Sequence, residues 1–364
     1  MIRVLQCVNN MHRAGLETLL MNYYRNIDRT KIQFDFLMHR SERSEYDDEI
    51  ESLGGRIFRA PRLYPQNYPA YFAFMEQFFR EHPEYKIVHS HIDSMSYLPL
   101  LAAKKAGVPV RIAHSHSTAI DLDFKYPLKQ FFRSQIKHVA THRFACGEEA
   151  GKFLFGGRAF QVIPNAVDGE KFRFQEDVRI EKRQELGIEG KTVVGHAGRF
   201  TYAKNHPFLL EIFCEVLKQE PNAVLLLAGT GEKEQEIRGV VKKLDVVQHV
   251  EFLGSRGDVH ELYQAMDIFV MPSLFEGVPV VGIEAQYAGL PCIFSDKVPR
   301  EVAFTDQCQF IDLKKSATQW AQQILKSVHE ANRTQSINCT TYDIKNACHV
   351  LENRYTELFA KSGR

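Results

Sequence analysis

The sequence predicts an α/β protein built from two doubly wound, parallel-sheet halves. Three observations predict it. Short apolar runs alternate with longer amphipathic stretches along the chain, the pattern of repeated βαβ units whose sheets are covered on both faces. The alternation restarts after Pro164-Asn165, so a second sheet begins where the first ends. And 364 residues suffice for two domains of ordinary size, each with its own core.

In the first half, strands are expected at 3–8, 34–37, 56–58, 87–89, 111–114, 143–145 and 161–163, each a short run too apolar to lie exposed. Helices fall between them, for example at 16–27 and 68–81. In the second half, strands are expected at 192–197, 224–228, 250–253, 268–271 and 292–295, with helices at about 207–219, 231–244, 259–265 and 280–288. A last helix is expected at about 342–360. These are two Rossmann-like halves, and in such sheets ligands bind at the carboxyl ends of the strands. No fixed-period repeat or low-complexity segment is present.

Composition narrows the function classes. The chain is 44% apolar and 25% charged, which is globular, and its net charge of +1 gives no case for nucleic-acid binding. Seven scattered cysteines, with no C-x-x-C pair, argue for a reducing compartment and against a zinc ribbon or disulfide framework. The start Met1-Ile2-Arg3-Val4-Leu5-Gln6-Cys7-Val8 is too soon broken by Asn9-Asn10 for a signal peptide, and no run of about 18 apolar residues exists to span a membrane. The expected compartment is the cytoplasm.

The most informative segment is Phe275-Glu276-Gly277-Val278-Pro279-Val280-Val281-Gly282-Ile283-Glu284. It follows a buried strand and enters a helix. Free backbone N–H groups and the helix dipole at such a junction attract an anion, and a carboxylate on each side suits a polyol. Part phosphate and part polyol describes a sugar nucleotide. The bland alternatives are a loop charge at Glu276 and an exposed helix carboxylate at Glu284; neither accounts for both beside Gly277 and Pro279. Gly198-Arg199-Phe200 with Lys204-Asn205 places two cations after a strand, where they can neutralise a diphosphate as it leaves. Alone, such a pair reads as two solvated surface cations. Gly15, between strand 3–8 and the first helix, lets backbone approach phosphate, though a lone glycine there is more often a plain turn.

Together these segments resemble the retaining glycosyltransferases of the GT-B fold, the large family 4. Glu276 and Glu284 match its E-x7-E motif, Arg199 and Lys204 its diphosphate pair, and the segment 162–168 its interdomain segment. Leu227-Ala228-Gly229-Thr230-Gly231 and Val250-Glu251-Phe252-Leu253-Gly254 match its nucleotide-binding strand ends. The match runs in order from the first strand to about residue 330, with Ala14-Gly15 where the family usually has Gly-Gly. The resemblance implies two Rossmann-like domains facing each other across a cleft. An acceptor-side domain would span 1–165, with the helix 342–364 packed back on it, and a nucleotide-sugar domain 166–341. It implies donor contacts from Gly15, Asn165, Gly198, Asn205, Gly229, Thr230, Phe252, Leu253, Gly277, Val278, Pro279, Val280 and Glu284. Glu276 would face the sugar hydroxyls and Glu284 the ribose diol. It further implies retention of configuration, a UDP-sugar donor, a glycan or lipid-linked acceptor in bacterial exopolysaccharide or capsule synthesis, and no metal or other cofactor.

Histidines are the ambiguous feature. His89-Ser90-His91 and His114-Ser115-His116 each close an apolar run, and strand alternation puts both rings of a pair on one side. Under the resemblance, His114 or His116 is the polar group near the transferring carbon, while His89 and His91 line the acceptor side. A metal-dependent hydrolase would instead use both pairs as zinc or iron ligands, with Asp93 or Asp121 as acidic partners. Two further alternatives are a sugar-nucleotide epimerase on the same fold and a non-catalytic nucleotide-binding subunit. Asp121-Leu122-Asp123 is a D-x-D without the architecture that uses it for metal. Residues 124–143 mix bulky apolar and basic side chains. They are expected either as an amphipathic helix on an anionic membrane at the inner face of the cell or as an ordinary packed helix.

Overall fold

The computed structural model describes residues 1–120, 125–335 and 337–362. It divides into two compact units, residues 1–166 with 341–364 and residues 167–340. The division differs by one residue at each limit from the expected one, because Ala166 and Thr341 belong to the first unit. Ala166 is held there by its carbonyl, which accepts from Asn22 Nδ2 at 3.3 Å.

The first unit carries a seven-stranded parallel sheet made of β1 (Ile2–Val8), β2 (Ile32–Met38), β3 (Ile57–Arg59), β4 (Ile87–Ser90), β5 (Val110–Ser115), β6 (His142–Ala145) and β7 (Gln161–Val162). Their spatial order is β3-β2-β1-β4-β5-β6-β7, so the winding reverses between β1 and β4. All seven residues of β2 are buried, as a strand covered on both faces must be. Arg3 at the start of β1 donates from Nε to Asp35 of β2 at 2.6 Å, which compensates the one carboxylate buried in that strand. The helix Ile344–Ser362 belongs to this unit. Ile344, Leu351, Tyr355 and Leu358 are buried on it, and Tyr355 meets Phe34 edge-on at 6.0 Å.

The second unit carries a six-stranded parallel sheet of β8 (Val193–Ala197), β9 (Val224–Ala228), β10 (Val250–Gly254), β11 (Ile268–Met271), β12 (Cys292–Ser295) and β13 (Cys308–Ile311). The order β10-β9-β8-β11-β12-β13 reverses between β8 and β11. Strand β13 was not expected from the sequence: it is an edge strand of four half-buried residues, with neither an apolar run nor an alternation to betray it.

A single helix over residues 124–143 does not form. The helix Tyr126–Gln135 stops, a 3₁₀ turn Ile136–His138 follows, and His142 and Arg143 open β6. Phe132, Ile136 and Val139 turn into the core, and Arg133 lies 4.4 Å over the Phe153 ring, while Phe131 stays exposed. Asp121-Leu122-Asp123 and Phe124 lie outside the described residues. Among the described residues no helix is long and apolar enough to cross a membrane.

Candidate active site

The two winding reversals mark where ligands bind in sheets of this kind, and the candidate residues gather at both. In the second unit, β8 runs into Gly198 and Arg199, and β9 into Gly229 and Thr230. Backbone packs on backbone here: Gly198 N donates to Ala228 O at 2.9 Å, Phe200 N to Thr230 O at 2.9 Å, and Gly229 N to Gly254 O at 2.8 Å. The closeness requires glycine. Gly229 has φ +141, and a Cβ on it would sit 2.1 Å from the Gly198 carbonyl oxygen; a Cβ on Gly231 would sit 2.4 Å from Phe200 O. Three strand ends are thereby drawn into one glycine-lined floor, with Arg199 exposed above it.

Lys204 and Asn205 follow on a short 3₁₀ turn. Asn205 adopts the left-handed conformation, φ 54 and ψ 43, and donates from Nδ2 to Pro272 O at 3.1 Å. Leu274 N donates back to Ala203 O at 2.8 Å. Asn205 thus ties the loop after β8 to the loop after β11. Across that tie Lys204 Nζ meets Glu276 Oε1 at 2.7 Å, with each side chain 14% exposed. Lys204 and Glu276, from two segments far apart in the chain, are therefore in direct contact. Gly277, Val278 and Pro279 are buried and lead to the helix Val280–Tyr287, whose first N–H groups have no intrahelical partner.

Glu284 is not an exposed helix carboxylate. It is 5% exposed, accepts from Tyr263 Oη at 3.0 Å, and burial pushes its carboxyl up to about 7, with Tyr263 partly offsetting the rise. Phe252 packs edge-on against Phe200 at 6.1 Å under the Arg238 guanidinium at 4.0 Å, so its half-buried ring lies against the core. Leu253 sits at an irregularity of register between β9 and β10.

In the first unit, Gly15 opens the helix Gly15–Asn26, and a Cβ there would meet nothing within 4 Å, so packing does not demand the glycine. Asn165 is buried in this unit; its neighbour Pro164 accepts from Tyr23 Oη at 2.7 Å. The four histidines form a square at the ends of β4 and β5. His89 Nε2 is 3.0 Å from His114 Nδ1, and His91 Nδ1 is 3.0 Å from His116 Nε2. Within each His-Ser-His pair the ring centroids are 4.1 Å apart, so both rings do lie on one side. Burial, reinforced by the neighbouring rings, holds His89, His91 and His114 well below the usual imidazole range, and burial brings His116 down to about 3. All four are neutral at physiological pH.

Two residues complete the square that the sequence did not single out. Gln6 Oε1 lies 2.8 Å from His91 Nε2, and Tyr355 Oη lies 2.6 Å from His89 Nδ1. Nothing local signals either, since Tyr355 arrives from 266 residues away. Tyr263 was missed for the same reason. Ligand-capable atoms of His89, His91 and His114 lie within 4.8 Å of one another, but no carboxylate joins that group among the described residues. Asp93, expected as an acidic ligand, accepts from the His116 backbone N–H at 2.8 Å.

Comparison with known proteins places the chain in a family. The family model described as Glycosyltransferase Family 4 matches residues 13–171, and that described as Glycosyl transferases group 1 matches residues 178–343. Among solved structures, HepE of Anabaena in complex with UDP and glucose superposes with a TM-score of 0.81 at 18% identity, over 98% of this chain and 100% of that one. Two parallel-sheet, Rossmann-like units with these neighbours define a GT-B glycosyltransferase. EpsF of Bacillus subtilis (strain 168), provisionally named a glycosyltransferase, is 38% identical over 335 residues, 89% of this chain and 87% of that protein. An Escherichia coli enzyme, UDP-Gal:alpha-D-GlcNAc-diphosphoundecaprenol alpha-1,3-galactosyltransferase, is 29% identical over 225 residues, 58% of each chain. The chain belongs to the family 4 glycosyltransferases.

Proposed function

We propose that this glycosyltransferase moves a sugar from UDP to a hydroxyl of a glycan or lipid-linked acceptor, with retention of configuration and without a metal. The observation that carries the reading is the Lys204–Glu276 pair and buried Glu284 in the unit whose strands β8, β9 and β10 end in a glycine-lined floor. Arg199 and Lys204 neutralise the diphosphate. Glu276 receives the sugar hydroxyls, and Glu284 the ribose diol. The bond from the anomeric carbon to the diphosphate oxygen breaks as the acceptor oxygen attacks from the same face, and the acceptor's proton passes to the departing diphosphate. No enzymic nucleophile is needed, and the protein supplies position and electrostatics. One of the imidazoles ending β5 is the polar group beside the transferring carbon.

Support for the UDP donor comes from the E. coli relative, whose name specifies UDP-Gal, and from the UDP bound to HepE. Support for a lipid-linked acceptor comes from the diphosphoundecaprenol in the same enzyme's name. A bacterial polysaccharide setting follows from a Staphylococcus aureus relative named for capsular polysaccharide biosynthesis. Work on such an acceptor would place the chain at the inner face of the cell membrane, where liposome flotation with anionic vesicles would reveal it. The function itself is tested by calorimetric titration with UDP, GDP and ADP and their sugar conjugates in EDTA. Binding of UDP alone, lost in Glu284→Ala and Arg199→Ala, is expected. Binding of none, with zinc or iron co-purifying, would overturn the reading in favour of the histidine metal site.

A further inference from the structure

The histidine square has a proton direction. Each neutral ring carries one N–H and one lone pair, so fixing one end of a chain of rings fixes the other. Gln6 sits on β1 in register with His89. Its Oε1 only accepts, so His91, 2.8 Å away through Nε2, holds its proton there. His91 Nδ1 is then an acceptor, and His116 Nε2 at 3.0 Å donates to it. The other atom of the amide, Gln6 Nε2, only donates; it reaches Tyr355 Oη at 3.4 Å and leaves the phenol proton for His89 Nδ1 at 2.6 Å. His89 accordingly donates through Nε2 to His114 Nδ1.

Rotating the Gln6 amide would reverse both chains at once. At 3.4 Å the amide–phenol contact is long for either donor, so the 2.6 Å contact to His89 decides: it suits donation by the phenol, the stronger donor, which the reversed state would spend on the long contact instead. The direction has a cost. His114 keeps its proton on Nε2, and that atom is buried with no hydrogen-bond partner among the described residues. Of the four rings, His116 is the one partly exposed, and its Nδ1 is the ring nitrogen that takes no part in the square.

We propose that Gln6 and Tyr355 are positioning residues that set the tautomers of this network, so that His116, rather than His114, meets the transferred sugar and presents Nδ1 as an acceptor for one of its hydroxyls. This rests on the sugar-transfer reading above. Tyr355 acts through Gln6: by accepting from the amide nitrogen it holds the orientation that fixes His91 and then His116.

The test is a long-range ¹H–¹⁵N correlation spectrum of the full chain with ¹⁵N-labelled histidine and no nucleotide, with His116 assigned by its loss in His116→Gln. His116 and His91 should both be protonated on Nε2. Tyr355→Phe, which removes only the hydroxyl, should leave His116 populating both tautomers. It should lower kcat about tenfold with KM for the donor changed less, the scale seen when an outer partner orients a functional imidazole. Protonation of His116 on Nδ1 in the unsubstituted chain, or an unchanged tautomer in Tyr355→Phe, overturns the proposal. Should Tyr355→Phe not fold, the first spectrum still decides. The spectrum needs no substrate, so a chain with these tautomers that transferred no sugar would sink the function and leave the tautomer network standing.

Discussion

Glu284 holds its proton to an unusually high pH because it is buried on a helix, and the Tyr263 hydroxyl and the Lys171 charge offset the burial only in part. The sign of the effect follows. Unfolded, its carboxyl titrates near the ordinary value of 4.5, and folded near 7. Between those values the folded state keeps a proton that the unfolded state has lost, so this group lowers stability by about 3 kcal/mol as pH rises across the window. A ribose diol donates hydrogen bonds, and only the carboxylate accepts two of them well. Binding a UDP-sugar at pH 6 should therefore release close to one proton, and affinity should rise up to about tenfold per pH unit until it levels above 7. Calorimetry in buffers of different ionisation heat reads the proton directly, and a UDP-sugar has no phosphate titrating in this range. An affinity flat from pH 6 to 8 would remove Glu284 from the ribose. Lys204 is the other decisive residue. It should cost about 10²–10³ in kcat/KM when replaced by Ala, the scale of a lost preorganised charge at a leaving group. Its ion pair with Glu276 means that Glu276→Gln, which leaves Lys204 without that partner, should also weaken catalysis. A Lys204→Ala enzyme with undiminished kcat/KM would show that the ion pair is structural only.

At the scale of elements, the glycine floor is set by how closely two loops approach. Gly229→Ala would force a Cβ against the Gly198 carbonyl at an unfavourable φ, whereas Gly254→Ala, at φ 68, meets nothing within 4 Å. Both substitutions carry backbone strain of about 1–3 kcal/mol, but only the first must also part the loops. Urea unfolding should show Gly229→Ala the less stable by about 1–2 kcal/mol, and only it should lose nucleotide binding. Equal losses in both would mean the approach is unimportant. Such elements were largely legible in the sequence. Buried parallel strands are short apolar runs, and twelve of the thirteen announce themselves that way. The exception, β13, lies at an edge where half-burial imposes no pattern. The helix expected over 124–143 failed because apolar spacing suited to a helix also suits a helix, a turn and a strand in succession. In the site, the motif residues were visible because they are local. The Lys204–Glu276 pair, the burial of Glu284 and the Gln6–Tyr355 frame were not, since each joins residues distant along the chain.

At the scale of the whole chain, the first unit is discontinuous and the second is not. The helix Ile344–Ser362 covers one face of the first sheet with Ile344, Leu351, Tyr355 and Leu358, each 4% exposed or less. Fully burying one such side chain is worth about 1.5–3 kcal/mol, so four of them rival the entire 5–15 kcal/mol by which a domain is stable. The helix also makes polar closures: Glu352 accepts from Asp28 N at 2.6 Å, and Tyr355 closes the histidine square. Residues 1–166 made alone should accordingly lack cooperative unfolding and be cut rapidly by protease, and a peptide of residues 341–364 supplied in trans should restore protection. Residues 167–340 made alone should unfold cooperatively, since the whole sheet β8 to β13 lies within that span. Circular dichroism and limited proteolysis on the three preparations decide the matter. If the first fragment folds without the peptide, the C-terminal helix is an accessory and the square is assembled on a sheet that is already stable. If it does not, the chain must be complete before its histidine face exists at all, because domains fold as units once their last segment is available.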